Sequence, residues 1–143
     1  TAEAKRECRT EEKLEGAQTR RALDCALEGA VGEHLLRTYG SDGAWVLAYA
    51  EENPALAERI VPGLPYLMAE VPYGVHHEMA VRLTDVLMRR THLIYETPSG
   101  GLERARAVAG LMATRLGWDE PEVDRQVSDY AAQVALTQAW REV

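Results

Sequence analysis

Apolar residues recur through Leu64–Leu93 (LPYLMAEVPYGVHHEMAVRLTDVLMRRTHL) at Met68, Val71, Val75, Met79, Leu83, Val86 and Leu87. Steps of three and four place them on one stripe of a helix, or of two helices in series. The opposite side carries Glu70, His77, Glu78, Arg82, Asp85, Arg89 and Arg90. Glu78 with Arg82 and Asp85 with Arg89 are acid-before-base pairs at i, i+4, the better orientation for helix stability. Pro72 interrupts the stripe, so the pattern predicts a kinked helix over Pro65–Ala80. A shorter helix over Asp85–Arg90 follows, with Thr84 as its cap. This is the longest patterned segment, and the rest of the chain is expected to pack on its apolar side.

Upstream, residues Thr1–Leu14 are dense in charge, with room for a short helix up to Cys8, and Gly16 breaks the pattern. Helical spacing resumes from Thr19 through Leu23, Ala26, Leu27, Ala30, Val31, Leu35 and Leu36, weakened at Gly29 and Gly32. Gly40 is its C-terminal glycine. Ser41 or Asp42 is expected to cap a helix through Trp45–Ala50, and Asn53-Pro54 opens another to about Ile60. Pro62, Gly63 and Pro65 form the turn into the central stretch. Downstream, Thr91–Tyr95 is β-branched and aromatic enough to be extended, and Thr97–Gly101 is a loop. A helix over Leu102–Leu116 ends at Gly117. Asp119, Pro121 and Glu122 then open a last helix toward Trp140.

The elements predict an all-α fold of about six helices around a kinked central helix. A charged linker over 1–18 precedes a single helical domain over 19–143. At 143 residues, one core can bury roughly 68–70% of the unfolded surface without staples. Ala, Leu, Glu and Arg dominate and Phe is absent, which favours helix. Net charge is −7, from 23 acids against 16 bases. That balance argues against nucleic acid, whose phosphates need a basic face, and gives no general attraction to anionic lipid. Cys8 and Cys25 lack CxxC spacing and read as two free thiols in a reducing cytoplasm. No apolar run reaches membrane-spanning length, and no signal peptide opens the sequence. Thr1 begins mid-pattern without an initiator Met, which points to a fragment.

Candidate chemistry is sparse. There is no GxGxxG, no P-loop and no GxSxG, and Gly100-Gly101 reads as a turn. His76-His77-Glu78 has the wrong spacing for a metal, because adjacent residues on a helix point about 100° apart. His34 and His92 could join only through tertiary contacts. Arg89-Arg90 at a helix end complements the dipole or pairs with buried acids, Glu70 and Glu78 being the nearest by register. Tyr73–Arg90 also has the outline of a helix-turn-helix. The acidic total and the lack of Asn, Gln or Ser on the face of Asp85–Arg90 weigh against it.

Several ordered segments carry a resemblance: His34-Leu35-Leu36; Tyr39-Gly40-Ser41; Pro65-Tyr66-Leu67-x-Ala69-Glu70-Val71-x-Tyr73; His77-Glu78-Met79-Ala80; Leu83-x-Asp85-Val86-Leu87-x-Arg89-Arg90-Thr91; Leu111-Met112-Ala113; and Leu116-Gly117-Trp118-Asp119. Together, over roughly Cys8–Tyr130, the series resembles the C-terminal helical domain of FAD-dependent glycerol-3-phosphate dehydrogenases. Cys8-Arg9-Thr10 and Leu14-x-Gly16-Ala17 look like the link into that domain. Pro72, where the family has an apolar helix former, and the charged Glu11–Lys13 depart from the family pattern.

The resemblance implies an accessory role. The parent enzymes oxidise sn-glycerol 3-phosphate to dihydroxyacetone phosphate and pass electrons to membrane quinone. FAD, substrate and catalytic groups lie in upstream domains, which would be this chain's partners. No catalytic, cofactor-binding or metal residue therefore carries over, and the chain alone is expected to be inactive. Glu70, His77, Glu78, Asp85, Arg89, Arg90 and Thr91 do match the family motif. They are read as the polar lattice that fixes the central helices and faces the dehydrogenase core. The parent is expected in the cytoplasm, peripheral on the inner face of the cell membrane. The competing readings are a free-standing helical adaptor, which needs an exposed apolar groove, and a small DNA-binding protein.

Overall fold

A computed structural model of the chain describes residues 29–139. The expected linker over 1–18, both cysteines, the helix before Gly29 and the end at Trp140 lie outside the described residues. Within them the fold is all-α: α1 (Ala30–Tyr39), α2 (Gly43–Glu52), α3 (Glu70–His77), α4 (Leu93–Glu96), α5 (Leu102–Leu116) and α6 (Glu120–Gln138). Two 3-10 turns, Gly40–Asp42 and Pro54–Ala57, and a π-helix, Asp85–Arg90, complete the described elements.

The two longest helices, α5 and α6, form an antiparallel pair, and α5 also packs on α3. On the other side α3 meets α2, and α2 meets α1. Leu35, Val46, Val71, Leu83, Leu87, Val108, Met112 and Tyr130 are fully buried along this stack. Exposed ion pairs from Arg106 to Glu120 (2.9 Å) and Asp124 (2.6 Å) cross the α5–α6 seam. The Asp119 carboxylate accepts from the Glu122 N–H at 3.0 Å and caps α6. Asn53 caps the turn at Pro54–Ala57 in the same way, through the Ala55 N–H.

Four local expectations are corrected. The central segment is not one kinked helix over Pro65–Ala80. Residues 58–68 fold into a tight loop with an isolated antiparallel bridge between Arg59 and Leu67. Helix α3 begins only at Glu70, which puts Pro72 in its first turn, where a missing N–H costs no helical bond. The helix expected from Asn53-Pro54 to Ile60 is only the single 3-10 turn to Ala57. The cap expected at Ser41 or Asp42 makes no side-chain bond; the chain passes through a 3-10 turn into α2 instead.

The fourth is Thr91–Tyr95, which is not extended. Leu93–Glu96 forms a single α-turn after a left-handed His92 (φ 53°). That turn buries Leu93 and Ile94, and α4 packs against the π-helix and α6. The apolar stripe also has a gap. Met68, Val71, Leu83, Val86 and Leu87 are buried, but Val75 is only half-buried and Met79 is 84% exposed.

Candidate functional site

The seven polar residues picked out by the sequence do not converge. They fall into three groups around α3 and the π-helix.

The first centres on Glu70, which is 3% exposed at the start of α3. Its Oε2 accepts from the Tyr39 hydroxyl at 2.8 Å and meets His34 Nε2 at 2.9 Å. Its Oε1 accepts from the Leu67 N–H at 2.7 Å. One carboxylate thus ties α1 to α3 and caps the loop that precedes α3, reaching back three residues as a capping-box acid does. Burial, then the charge and hydrogen bond of Glu70, holds the Tyr39 phenol well above its usual range. Tyr66 is raised by burial and by donating to Glu96 at 2.6 Å.

The second group surrounds His77. Its ring stacks on Tyr73 at 4.8 Å and faces Trp45 at 6.3 Å. The Tyr49 hydroxyl reaches His76 Nδ1 at 2.7 Å and His77 Nε2 at 3.3 Å. Burial, then the nearby Arg115 charge, lowers the His76 pKa. A cavity of about 340 Å³ opens here beside Trp45, Tyr49 and Arg115. Among the described residues no group of three or more His, Cys, Asp or Glu is placed to hold a metal ion.

The third group joins Glu78, Asp85, Arg89 and Arg90 around a cavity of about 310 Å³. Glu78 does not pair with Arg82 as the i, i+4 spacing predicted. Its Oε1 takes Arg90 Nη1 at 2.8 Å, because the left-handed Met79 (φ 57°) turns the chain and ends the helix between them. Glu78 Oε2 is buried without a hydrogen-bond partner among the described residues. Arg89 does pair with Asp85. The cap expected from Thr84 makes no side-chain bond; Asp85 Oδ2 instead accepts from the Val81 N–H (3.1 Å) and Arg82 N–H (2.9 Å). Buried Thr91 closes the π-helix, its N–H and hydroxyl both donating to the Val86 carbonyl, at 2.9 and 3.0 Å. Gln126 on α6 anchors the other end by accepting from the Leu83 N–H at 3.0 Å.

This geometry does not suit a DNA reader. The segment at the recognition position is a six-residue π-helix, and both of its arginines are paired with carboxylates. Among the described residues the arginines of this segment are turned to carboxylates, whereas such a reader aims Arg or Lys at phosphate. Sequence reasoning quoted Tyr39 and Tyr66 only as members of the motif series and gave no site role to them, to Tyr49 or to Arg115, whose partners lie far along the chain.

Comparison with known proteins places these residues in a family. Residues 8–123 match the pattern of the C-terminal domain of alpha-glycerophosphate oxidase. Glycerol-3-phosphate dehydrogenase 2 of Mycobacterium tuberculosis is 41% identical over 101 residues, 71% of this chain and 17% of the relative. The Synechocystis glycerol-3-phosphate dehydrogenase is 33% identical over 98 residues, 68% of this chain and 18% of the relative. The mitochondrial glycerol-3-phosphate dehydrogenase of Bos taurus is 32% identical over 108 residues, covering 73% and 15%. The chain therefore spans less than a fifth of the length of these curated relatives. No solved structure matches it. The chain belongs to the family of the alpha-glycerophosphate oxidase C-terminal domain, shared with the glycerol-3-phosphate dehydrogenases.

Proposed function

We propose that this chain is the C-terminal accessory region of an FAD-dependent glycerol-3-phosphate dehydrogenase, and that it stabilises the parent without contributing to the chemistry. The observation that carries the reading is the match to such dehydrogenases over 71% of this chain and 17% of theirs. The parent oxidises sn-glycerol 3-phosphate to dihydroxyacetone phosphate, with FAD as acceptor and membrane quinone downstream. It works at the cytoplasmic face of the membrane, and no helix among the described residues is long and apolar enough to cross one. Residues 19–143 act as one helical unit and residues 1–18 as the link.

FAD binding by the dinucleotide fold needs a strand, a glycine loop and a helix N-terminus to hold the pyrophosphate. The sequence has no GxGxxG. Glu70 and His77 hold the helices to one another, whereas Glu78, Asp85, Arg89 and Arg90 form the side that faces the rest of the parent. The test compares the full-length gene product with the chain Thr1–Val143. The full-length protein is expected to carry a flavin spectrum and to reduce a dye with glycerol 3-phosphate. The chain alone is expected to stay colourless after mixing with FAD and desalting, and to reduce no dye. Retained flavin or substrate-dependent dye reduction by the chain alone would overturn the non-catalytic reading, and a flavin-free full-length product would overturn the enzyme assignment.

A further inference from the structure

The last turns of three helices meet at one hollow. Helix α2 brings Tyr49 and Glu52 to it, α3 its final residues His76 and His77, and α5 Arg115. The Arg115 guanidinium lies over the Tyr49 ring at 5.8 Å, and its Nη1 meets His76 Nε2 at 3.4 Å. His76 Nδ1 and His77 Nε2 share the Tyr49 hydroxyl, at 2.7 and 3.3 Å. A guanidinium has only donors, so His76 Nε2 accepts from Arg115 and the neutral His76 ring carries its proton on Nδ1. That Nδ1–H donates to the Tyr49 oxygen, which leaves the Tyr49 hydroxyl hydrogen for His77 Nε2. All three bonds run in one direction, and they do so only while both imidazoles are neutral.

We propose that this series of bonds is a proton-operated latch, which ties the end of α3 to α2 and α5 at neutral pH and releases them on acidification. His76 is its switch. A proton on Nε2 removes the acceptor for Arg115 and sets two cations 3.4 Å apart. A proton on His77 Nε2 only turns the Tyr49 hydroxyl hydrogen away, since the phenolic oxygen can accept from both rings. Both histidines are exposed, so protons arrive without opening of the core. Other charges face the cluster. Glu52 lines the hollow and the helix C-termini carry partial negative charge, and both favour a charged ring. Asp42, Glu78 and Arg90 of the π-helix act on Tyr73, on which His77 stacks. Against these, burial first, then Arg115 and His77, hold the His76 pKa below its usual value. The unfolded chain therefore takes up the proton first, near about pH 6.5. The contribution of the latch is complete above that pH and is lost as pH falls through the folded value. The inference rests on contacts within the described residues and stands whether or not the chain serves a dehydrogenase.

The test is an NMR titration of Thr1–Val143 from about pH 8 to about pH 5, which spans the histidine range. The amide signals of 49–52 and 115–117 are expected to move with the midpoint of the His76 ring signal. Hydrogen-exchange protection of those amides, corrected for the intrinsic pH dependence of exchange, should fall about fivefold across the titration. Protection over 123–134 in α6, away from the cluster, should hold. Arg115→Gln keeps an N–H donor but removes the charge, and should raise the His76 midpoint. His76→Gln should abolish the pH response at both helix ends, whereas His77→Gln should retain it. An unmoved His76 midpoint in Arg115→Gln, or a pH response that survives His76→Gln, would overturn the latch. Equal protection of 49–52 and 115–117 at the two ends of the titration would overturn it as well.

Discussion

Glu70 shows how one residue can fix the arrangement of helices. A buried carboxylate survives only when its oxygens are matched by donors, and Tyr39, His34 and Leu67 provide them. Glu70→Ala would leave the Tyr39 hydroxyl and the Leu67 N–H unmatched. Each hydrogen bond to a charged group contributes about 1.5–3 kcal/mol, so the loss in a urea titration should reach about 3 kcal/mol or more. Arg82→Ala, at an exposed side chain without an ion pair among the described residues, should cost under about 1 kcal/mol. Equal midpoints for the two variants would contradict the lattice. The same burial sets a pH dependence. The Tyr39 phenol is raised by burial first and by Glu70 second, so the folded chain keeps a proton that the unfolded chain releases above about pH 10. Its contribution is complete below that pH and is lost as pH rises beyond it. The urea midpoint should fall between about pH 9 and 11, and fall less steeply in Tyr39→Phe; parallel slopes would remove Tyr39 as the cause. The acid was visible in the sequence as a motif residue. Tyr39 and His34 stood in the same motif series, but their pairing with Glu70 was not legible, because they lie 31 and 36 positions away and only packing brings them together.

At the scale of elements, periodicity and caps were legible wherever local chemistry decides. Helix α5 runs over the predicted Leu102–Leu116 to Gly117, and Asp119 opens α6 as its cap. The errors lie where a local signal had two physical outcomes. A proline inside an apolar stripe can kink a helix or sit in its first turn, and the tight loop at 58–68 selects the second. The stripe's steps of three and four do not reveal that the backbone turns left-handed at Met79 and again at His92. They equally do not distinguish an α-helix from the π-helix pinned by Thr91. Glycines give this scale its own prediction. A Cβ on Gly100 (φ +64°) would lie 2.7 Å from Val134 Cγ2 on α6, whereas one on Gly117 (φ +71°) meets nothing within 4 Å. Both alanine variants carry the left-handed penalty of about 1–2 kcal/mol. Gly100→Ala adds an overpacking cost of about 1–3 kcal/mol against a stiff β-branched side chain. Gly100→Ala should therefore melt well below Gly117→Ala, and adding Val134→Ala should recover part of the difference. Equal melting of the two single variants would mean that α4–α5 and α6 are not in the close contact described.

At the scale of the molecule, the net charge of −7 and the ion-paired arginines of the π-helix point away from nucleic acid, and the family membership relates the chain to the C-terminal region of glycerol-3-phosphate dehydrogenases. Fold class was legible because helix patterning dominates nearly every segment, and the family was legible because its motif residues occur in order. Which methionine is exposed was not legible, because Met68, buried, and Met79, 84% exposed, stand on the same stripe and read alike in a sequence. The proposed role makes a final prediction for the full-length enzyme truncated just before Thr1. A docked region that contributes only interface stabilises its partner by its favourable contacts and leaves intact the donors that hold the flavin pyrophosphate elsewhere. The truncated enzyme should therefore melt several degrees lower, since about 1 kcal/mol corresponds to roughly 2–4 °C for domains of 150–250 residues. It should keep its flavin-to-protein absorbance ratio after desalting. Supplying Thr1–Val143 as a separate chain should restore part of the melting temperature. Loss of flavin on truncation would show that the cofactor is held across this region, and an unchanged melting temperature would deny it a stabilising role.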